Sequence, residues 1–223
     1  MPEARIITEA EAFLEERGIR ISEMRGWPFN RVAISDLYER SAEERADTLL
    51  SGYRVREEFI VRFGFAVITE SVIRSVAAYA PLVEVGCGSG YWSYELRKAG
   101  VDVIATDPGT GRYRGLLWGE DGEARHWDKP WLEIEPISGI EAVRKYPARN
   151  LLTVWPDMAP WADQTLREFK GETVLYGGEG SGGCTADDGF HRFLEERFEP
   201  TEVIDLPQFG GIHDDLYVWR RRG

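Results

Sequence analysis

After residue 80, short apolar strand patterns alternate with amphipathic helix patterns along the chain. The predicted strands cover residues 82–85, 101–106, 132–136, 151–155, 172–176, 201–206 and 215–220. The first five are each followed by a helix pattern, whereas the last two are joined directly. Because a helical crossover makes successive strands parallel and a direct connection does not, the last two strands cannot both be parallel to the others. We therefore predict an α/β fold with a seven-stranded, mostly parallel sheet, helices on both faces and an antiparallel last strand.

The segment before this alternation is highly charged, and its apolar residues follow helical spacing, as Phe59 and Phe63 do. The sequence therefore predicts an N-terminal helical extension over residues 1–62 and one α/β domain over residues 63–223. Within the domain, residues 108–130 show no clear periodicity and are predicted to form a loop.

Charge argues against one class of partner. The 223 residues include 39 acidic and 27 basic side chains, which gives a net charge of −12. Nucleic-acid binders gain much of their affinity from basic groups that neutralise phosphates, so this balance disfavours a nucleic-acid partner.

Apolar stretches and cysteines limit the cellular setting. The longest uninterrupted apolar stretch covers residues 76–83, and a membrane helix needs about 20 apolar residues. The N-terminus lacks the basic and apolar regions of a signal peptide. Cys87 and Cys184 offer neither a disulfide framework nor metal-ligand spacing. These features predict a cytoplasmic protein with no membrane contact and no metal site.

A glycine-rich turn follows the first predicted strand, with the sequence Glu84-Val85-Gly86-Cys87-Gly88-Ser89-Gly90. Open α/β sheets bind ligands at the carboxyl ends of their strands, which is where this turn falls. Asp107 ends the next strand, and its carboxylate can accept hydrogen bonds from both hydroxyls of a ribose. This arrangement suits a nucleoside cofactor, of either a nicotinamide enzyme or a methyltransferase.

Two details distinguish these cofactors. The dinucleotide fingerprint has its third glycine three positions after the second, and here that position is Tyr91. The third glycine of this chain instead comes two positions after the second. In addition, Glu84 precedes the first glycine by two positions, which suits a ligand with an ammonium group better than one with a pyrophosphate.

The pattern Glu84-x-Gly86-x-Gly88-x-Gly90 followed by Asp107 resembles the cofactor signature of class I S-adenosylmethionine-dependent methyltransferases. The resemblance covers roughly residues 63–223 and implies S-adenosylmethionine as the cofactor. It also implies a seven-stranded sheet with an antiparallel last strand, as the element pattern predicts.

The resemblance also implies roles for single residues. The backbone of the three glycines would line the methionine and ribose part of the cofactor, and Glu84 would contact the amino group directly or through water. Asp107 would hold the ribose diol and Pro108 would lie beside the adenine. The family often has an acidic residue near the adenine after the third strand. This chain has Ile137-Ser138-Gly139 there, so Ser138 or a backbone group would replace it.

Several side chains fall near the expected methyl transfer site. Tyr91 and Trp155 are candidates for aromatic contact with the sulfonium, which cation–π attraction favours. Asp157, Glu179 and His213, with the adjacent Asp214, lie in loops on the same side of the predicted sheet. They are candidate bases or acceptor-binding groups.

The motif after the fourth strand leaves the acceptor open. Amino-group methyltransferases often have an Asn/Asp-Pro-Pro-aromatic motif there, and only Pro156 of this chain matches it. The sequence thus predicts methyl transfer to an unidentified acceptor, either a small molecule or a protein side chain, and gives no oligomeric state. The alternatives are a non-catalytic methyltransferase-like binding or regulatory module and a nicotinamide-dependent oxidoreductase.

Overall fold

The computed structural model describes residues 7–24, 41–109 and 129–223, so most of the predicted loop over residues 108–130 lies outside the described residues. The described helices are α1 Glu9–Glu16, α2 Ala42–Phe63, α3 Glu70–Ala77, α4 Tyr91–Lys98, α5 Gly139–Lys145, α6 Trp161–Glu168 and α7 Asp188–Arg197. The described strands are β1 Leu82–Val85, β2 Val103–Thr106, β3 Asn150–Val154, β4 Thr173–Gly178, β5 Phe198–Ile204 and β6 Asp215–Arg221.

The strands form one mixed sheet in the order β2-β1-β3-β4-β6-β5. The first four strands in this order are parallel to one another, and β6 is antiparallel to both β4 and β5. The α/β class, the mostly parallel sheet and the antiparallel last strand are confirmed. The last strand, β6, lies between β4 and β5. Its residue Tyr217 pairs with Tyr176 of β4 on one side and with Val203 of β5 on the other.

The predicted count of seven strands is wrong for the part of the chain that the structure describes, which contains six. The missing strand is the one predicted over residues 132–136, where a single parallel bridge joins Glu135 to Thr106. Leu132 and Ile134 pack against Gly90, and Pro136, which has no amide hydrogen, follows the bridge directly. This segment therefore adds one bridge to the outer edge of β2.

Alternating strand residues contribute to two separate hydrophobic clusters. Leu82 of β1 belongs to a cluster with residues of α1 to α4, whereas the adjacent Val83 belongs to one with residues of α5 to α7. Successive strand residues point to opposite faces, so helices cover both faces of the sheet, as predicted. None of the helices within the described ranges combines the length and apolar character of a membrane span.

Helix α1 is fastened to α4 by buried polar contacts. The backbone amide of Ala10 donates a hydrogen bond of 2.8 Å to the Tyr91 hydroxyl, and the amide of Glu9 donates one of 2.9 Å to the Glu95 carboxylate. The first amides of a helix have no partner within the helix, so these side chains satisfy two of them. The division between residues 1–62 and 63–223 stays a prediction.

Candidate functional site

The carboxyl ends of the four parallel strands meet at one edge of the sheet, called the carboxyl edge below. The glycine loop (residues 86–90) follows β1, Asp107 follows β2, Trp155 follows β3 and Glu179 follows β4. Because β6 runs in the opposite direction, it begins at this edge, with Asp214 directly before it. The topology therefore gathers most of the predicted site residues in one place.

The glycine loop is a tight turn built on left-handed backbone. Gly86 has φ +64° and Gly90 has φ +75°, conformations that are open to glycine at little cost. The Cys87 amide donates to the Thr106 carbonyl at 3.1 Å, which fixes the loop to β2. Gly90 then caps α4, so the loop leads directly into a helix N-terminus.

Asp107 is hydrogen-bonded to the glycine loop. Its Oδ2 accepts from the Gly88 amide at 3.1 Å, and its Oδ1 accepts from the Gly109 amide at 2.9 Å. A carboxylate has about four lone-pair sites, so both oxygens can still accept further hydrogen bonds. The side chain is half-buried. Asp107 can therefore both hold the loop and accept hydrogen bonds from a diol.

Glu84 is buried beneath the loop. Its Oε2 accepts a hydrogen bond of 3.1 Å from the Ser93 amide and a second one from the Ser93 hydroxyl, in the first turn of α4. Burial raises the pKa of Glu84 to about 7, and although the bonds from Ser93 oppose this rise, the charge of Asp107 adds to it. The two acids predicted to flank the loop are thus close enough to interact electrostatically.

Two side-chain groups approach the glycine loop so closely that a side chain at either glycine would collide with them. A Cβ atom on Gly86 would lie 2.6 Å from the Trp161 ring, and one on Gly90 would lie 2.7 Å from the Leu132 side chain. The absence of side chains here is therefore a packing requirement as well as a means of approach for a ligand.

These residues fit an adenosyl cofactor by the chemistry of their donors and acceptors. The loop presents the backbone of three glycines at the start of a helix, and the half-buried Asp107 beside it offers free lone pairs. Glu84 lies nearby as a second acid. Its contacts are to α4, so the structure gives it a part in joining β1 to that helix.

Other predicted cofactor residues have different surroundings. Tyr91 is completely buried, and its hydroxyl both accepts from the Ala10 amide and donates to Glu95 at 3.0 Å. Its ring packs 4.8 Å from that of Phe63. The Tyr91 side chain is therefore a core residue that holds α1 through burial and two hydrogen bonds, and its contact with the cofactor stays a prediction.

Ser138 and Pro108 lie at the predicted adenine side. The Ser138 hydroxyl is part of a capping box, bonded to both the amide and the carboxylate of Glu141 at the start of α5. Pro108 is exposed directly after Asp107. The contacts of Ser138 thus serve the start of α5, and the adenine contacts of Ser138 and Pro108 stay predictions.

Trp155 is the most constrained residue of the carboxyl edge. Its φ of +53° is left-handed although it is not glycine, and its amide donates to the Gly177 carbonyl at 2.7 Å. Its Nε1 donates to Oδ2 of Asp214 at 2.7 Å, and its ring stacks on that of Phe65 with 5.1 Å between centroids. Left-handed backbone at a bulky residue costs free energy and is found at functional sites.

The predicted catalytic carboxylates Asp157 and Glu179 are both engaged with their own loops. Oδ1 of the exposed Asp157 accepts from the Ala159 amide and from Nε1 of Trp161, at the start of α6. Glu179 joins two loops, because its Oε2 accepts from the Cys184 amide at 2.9 Å and its Oε1 from the His213 amide at 3.0 Å.

The electrostatics of Glu179 follow from these bonds. Burial opposes its ionisation, but the backbone amides outweigh this effect and lower its pKa. A carboxylate with a lowered pKa is a weak base. The His213 side chain is exposed, and its backbone makes the contact with Glu179. The structure thus brings Glu179, His213 and Asp214 together, with Glu179 as a link between loops.

Two residues of the site were missed at the level of sequence. Trp161 lies over Gly86, and only contacts across the fold reveal this. Arg56 of α2 is buried, with its guanidinium 5.6 Å from the centroid of the Trp155 ring. It did leave a signal: Arg56 stands at helical spacing from Phe59 and Phe63, so it is a charged residue on an apolar stripe.

No protein-family model and no curated protein matches this chain. Among solved structures, the chain is similar to magnesium protoporphyrin IX methyltransferase from Synechocystis PCC 6803 with bound S-adenosylmethionine, at 9% identity and TM-score 0.45, covering 87% of this chain and 94% of that one. It is similar to a TehB-like S-adenosylmethionine-dependent methyltransferase from Corynebacterium glutamicum, at 18% identity and TM-score 0.42, covering 67% and 86%.

A third similar structure is the 1,6-didemethyltoxoflavin-N1-methyltransferase of Burkholderia thailandensis with bound S-adenosylhomocysteine, at 13% identity and TM-score 0.40, covering 99% and 93%. At these identities the similarity concerns the fold alone. These three similar structures are methyltransferases.

Proposed function

We propose that this chain is an S-adenosylmethionine-dependent methyltransferase whose acceptor is a small molecule or a protein side chain. The observation that carries the proposal is the hydrogen bond from the Gly88 amide to Asp107, which joins the glycine loop after β1 to a carboxylate after β2. This pairing offers both a backbone surface and a diol acceptor at the carboxyl edge.

The residues of this edge divide the work of binding. The backbone of the loop and the carboxylate of Asp107 would hold the nucleoside part of the cofactor, while Glu84 keeps the loop in register with α4. When bound, the cofactor supplies an activated methyl group. Its transfer is an in-line displacement, which the protein promotes by holding the reacting atoms about 3–3.5 Å apart.

Calorimetric titration with S-adenosylmethionine and S-adenosylhomocysteine tests the proposal. Both ligands are expected to bind, and Asp107→Ala is expected to weaken both at least tenfold by removing the diol acceptor. Glu172→Gln is the matched control, because that carboxylate is exposed and lies before β4, at the opposite edge of the sheet. Folded protein that binds neither ligand at millimolar concentration contradicts the proposal, and binding of a nicotinamide dinucleotide instead favours an oxidoreductase.

A second experiment separates the enzyme from a non-catalytic module. The protein is incubated with S-adenosylmethionine tritiated on the methyl group and a host-cell lysate, which is then fractionated by molecular size. Label in the small-molecule or protein fraction supports the enzyme and identifies the acceptor class. Cofactor binding without label in any fraction supports a binding or regulatory module.

The nature of the acceptor and the setting are extensions of this proposal. A net charge of −12 argues for a small molecule or a protein side chain over nucleic acid. Cys87 and Cys184 are free thiols, which suits a reducing cytoplasm.

A further inference from the structure

We infer that Asp214 is the residue that receives the proton of the methyl acceptor, and that the acceptor therefore offers an N–H or O–H group to the carboxyl edge. The inference rests on the proposed function. It names a catalytic side chain and a chemical class of acceptor, neither of which the glycine loop and Asp107 specify.

Position is the first argument. Asp215, the first residue of β6, pairs with Gly178, the last residue of β4. Asp214 therefore lies at the carboxyl ends of the sheet, and its side chain reaches Trp155, which follows β3. Strand β3 is the direct neighbour of β1, whose carboxyl end continues into the glycine loop. Asp214 is thus on the same edge as the cofactor residues, displaced from them toward β6.

The hydrogen bonds of Asp214 are the second argument. Its side chain is only 1% exposed, and Oδ2 is occupied by Nε1 of Trp155. Oδ1 is buried without a hydrogen-bond partner among residues 7–24, 41–109 and 129–223. Buried carboxylate oxygens are nearly always hydrogen-bonded, and an exception calls for an explanation. An acceptor that donates N–H or O–H to Oδ1 provides one.

Comparison with the other candidate bases is the third argument. Glu179 uses both carboxylate oxygens on the amides of Cys184 and His213. Asp157 is exposed and bonded to Trp161. Among these carboxylates, Asp214 alone combines burial, one oxygen oriented by a neighbour and one oxygen left to accept.

The charges around Asp214 suit this role. Burial raises the pKa of Asp214 to about 6, and the charge of Asp215 adds to this rise. The hydrogen bond from Trp155, the backbone amide of Asp214 itself and the positive charge of Arg56 in α2 act in the opposite direction. The negative charge of Asp214 also contributes to raising the pKa of the Tyr217 phenol in β6. A carboxylate that titrates close to neutral pH is a stronger base than an ordinary aspartate and is still ionised at pH 7.

In the proposed step Asp214 takes up the proton that methyl transfer releases from the acceptor. An electron pair of the acceptor nitrogen or oxygen forms the new bond to the methyl carbon, and the pair of the broken methyl–sulfur bond stays on sulfur. The N–H or O–H bond then breaks, its electron pair stays on the acceptor atom, and its proton joins Oδ1. Asp214 becomes a neutral carboxylic acid and returns the proton to water.

Asp214→Asn and Trp155→Phe test the inference. Methyl transfer is measured with tritiated cofactor and the lysate fraction that the wild type labels, from pH 5 to 8. Binding of S-adenosylhomocysteine is measured in parallel by calorimetry. Ionisation of Asp214 is followed by carbon NMR of protein labelled at the aspartate carboxyl carbons. Glu172→Gln is again the control.

We expect Asp214→Asn to bind S-adenosylhomocysteine within threefold of the wild type, to lose at least tenfold in rate and to lose the rise in rate between pH 5 and 7. The NMR signal titrating near pH 6 should vanish with it. Trp155→Phe removes a hydrogen bond that favours the carboxylate, so both the signal and the rise in rate should move to higher pH. A merely structural role would leave the pH profile in place.

The failures are distinguishable. Wild-type protein that binds no S-adenosylhomocysteine refutes the proposed function and the inference together. Wild type that binds it and transfers label, with an unchanged rate and pH profile in Asp214→Asn, overturns the inference alone. Wild type that binds it and labels nothing also overturns the inference, because no proton is then released.

Discussion

Oδ1 of Asp157 accepts a hydrogen bond of 2.8 Å from Nε1 of Trp161, and the indole ring held in this way lies over Gly86. The same oxygen accepts from the Ala159 amide, so Asp157 also closes the turn that begins α6. A loop after β3 therefore controls the space beside the loop after β1. The role of Asp157 that the contacts support is the positioning of this ring.

Gly86→Ala is expected to destabilise the fold by about 2 kcal/mol or more. Left-handed backbone alone costs a residue with a Cβ about 1–2 kcal/mol, and this Cβ would lie 2.6 Å from Cη2 of Trp161. Urea unfolding of Gly86→Ala, Trp161→Ala and the double variant measures both contributions. The cost of the alanine should fall by about 1 kcal/mol in the Trp161→Ala background. Additive effects of the two substitutions would refute the steric contact.

Glu179→Gln is expected to lower the free energy of unfolding by about 1–2 kcal/mol at pH 7, since a charged acceptor of two backbone amides is weakened. The pKa of Glu179 is lowered in the folded state. Its contribution is therefore complete above the unfolded pKa of about 4.3 and is lost as the pH falls through the folded value. Unfolding at pH 7 and pH 3 should show the difference from wild type shrinking in acid. The exposed Glu199→Gln is the control, and an equal difference at both pH values would contradict the prediction.

Glu84→Gln is expected to change how stability depends on pH. The folded pKa of about 7 lies above the ordinary glutamate pKa of 4.5, so between these values the folded state holds a proton that the unfolded chain has lost. Wild-type stability should then fall by about 3 kcal/mol as the pH rises from 4.5 to 7, at 1.36 kcal/mol per pKa unit. The variant should lose this decline. Urea unfolding at four pH values measures it, Glu172→Gln should retain it, and an unchanged slope in Glu84→Gln would be inconsistent with the burial of a titrating carboxyl.

Most of the fold could be predicted because local patterns determine it. Strands β1 and β3 are rich in apolar residues and largely buried, as strands covered on both faces are, and the helices that cross between strands make them parallel. The strand predicted around Glu135 failed because Leu132 and Ile134 resemble a strand locally, but pack on Gly90 in the structure. This packing depends on contacts with a distant part of the chain, and a local sequence pattern carries no information about such contacts.

The site was predictable to a smaller extent, and for a related reason. Asp107 directly follows a strand that is parallel and adjacent to β1, so its proximity to Gly88 follows from the topology of the sheet. The hydrogen-bond partners of Glu179 and Tyr91 do not follow from topology. Glu179 is bonded to His213 and Tyr91 to Ala10, and each partner is at least 34 residues away in the sequence. Residue type and loop position predicted that Glu179 is a base and that Tyr91 contacts the cofactor. The fold uses both side chains as internal links.

Tyr91→Phe is expected to loosen α1 without unfolding the sheet. The substitution keeps the ring against Phe63 but leaves the buried amide of Ala10 without its acceptor and removes one of the donors to Glu95, at a cost of about 1–3 kcal/mol. Hydrogen exchange should therefore accelerate at residues 9–16 and stay unchanged in β3 and β4, because local opening has its own free energy. Tyr94→Phe, one turn away on the same helix, is the control. Protection of residues 9–16 equal to that of the wild type would show that the Tyr91 hydroxyl does not hold α1.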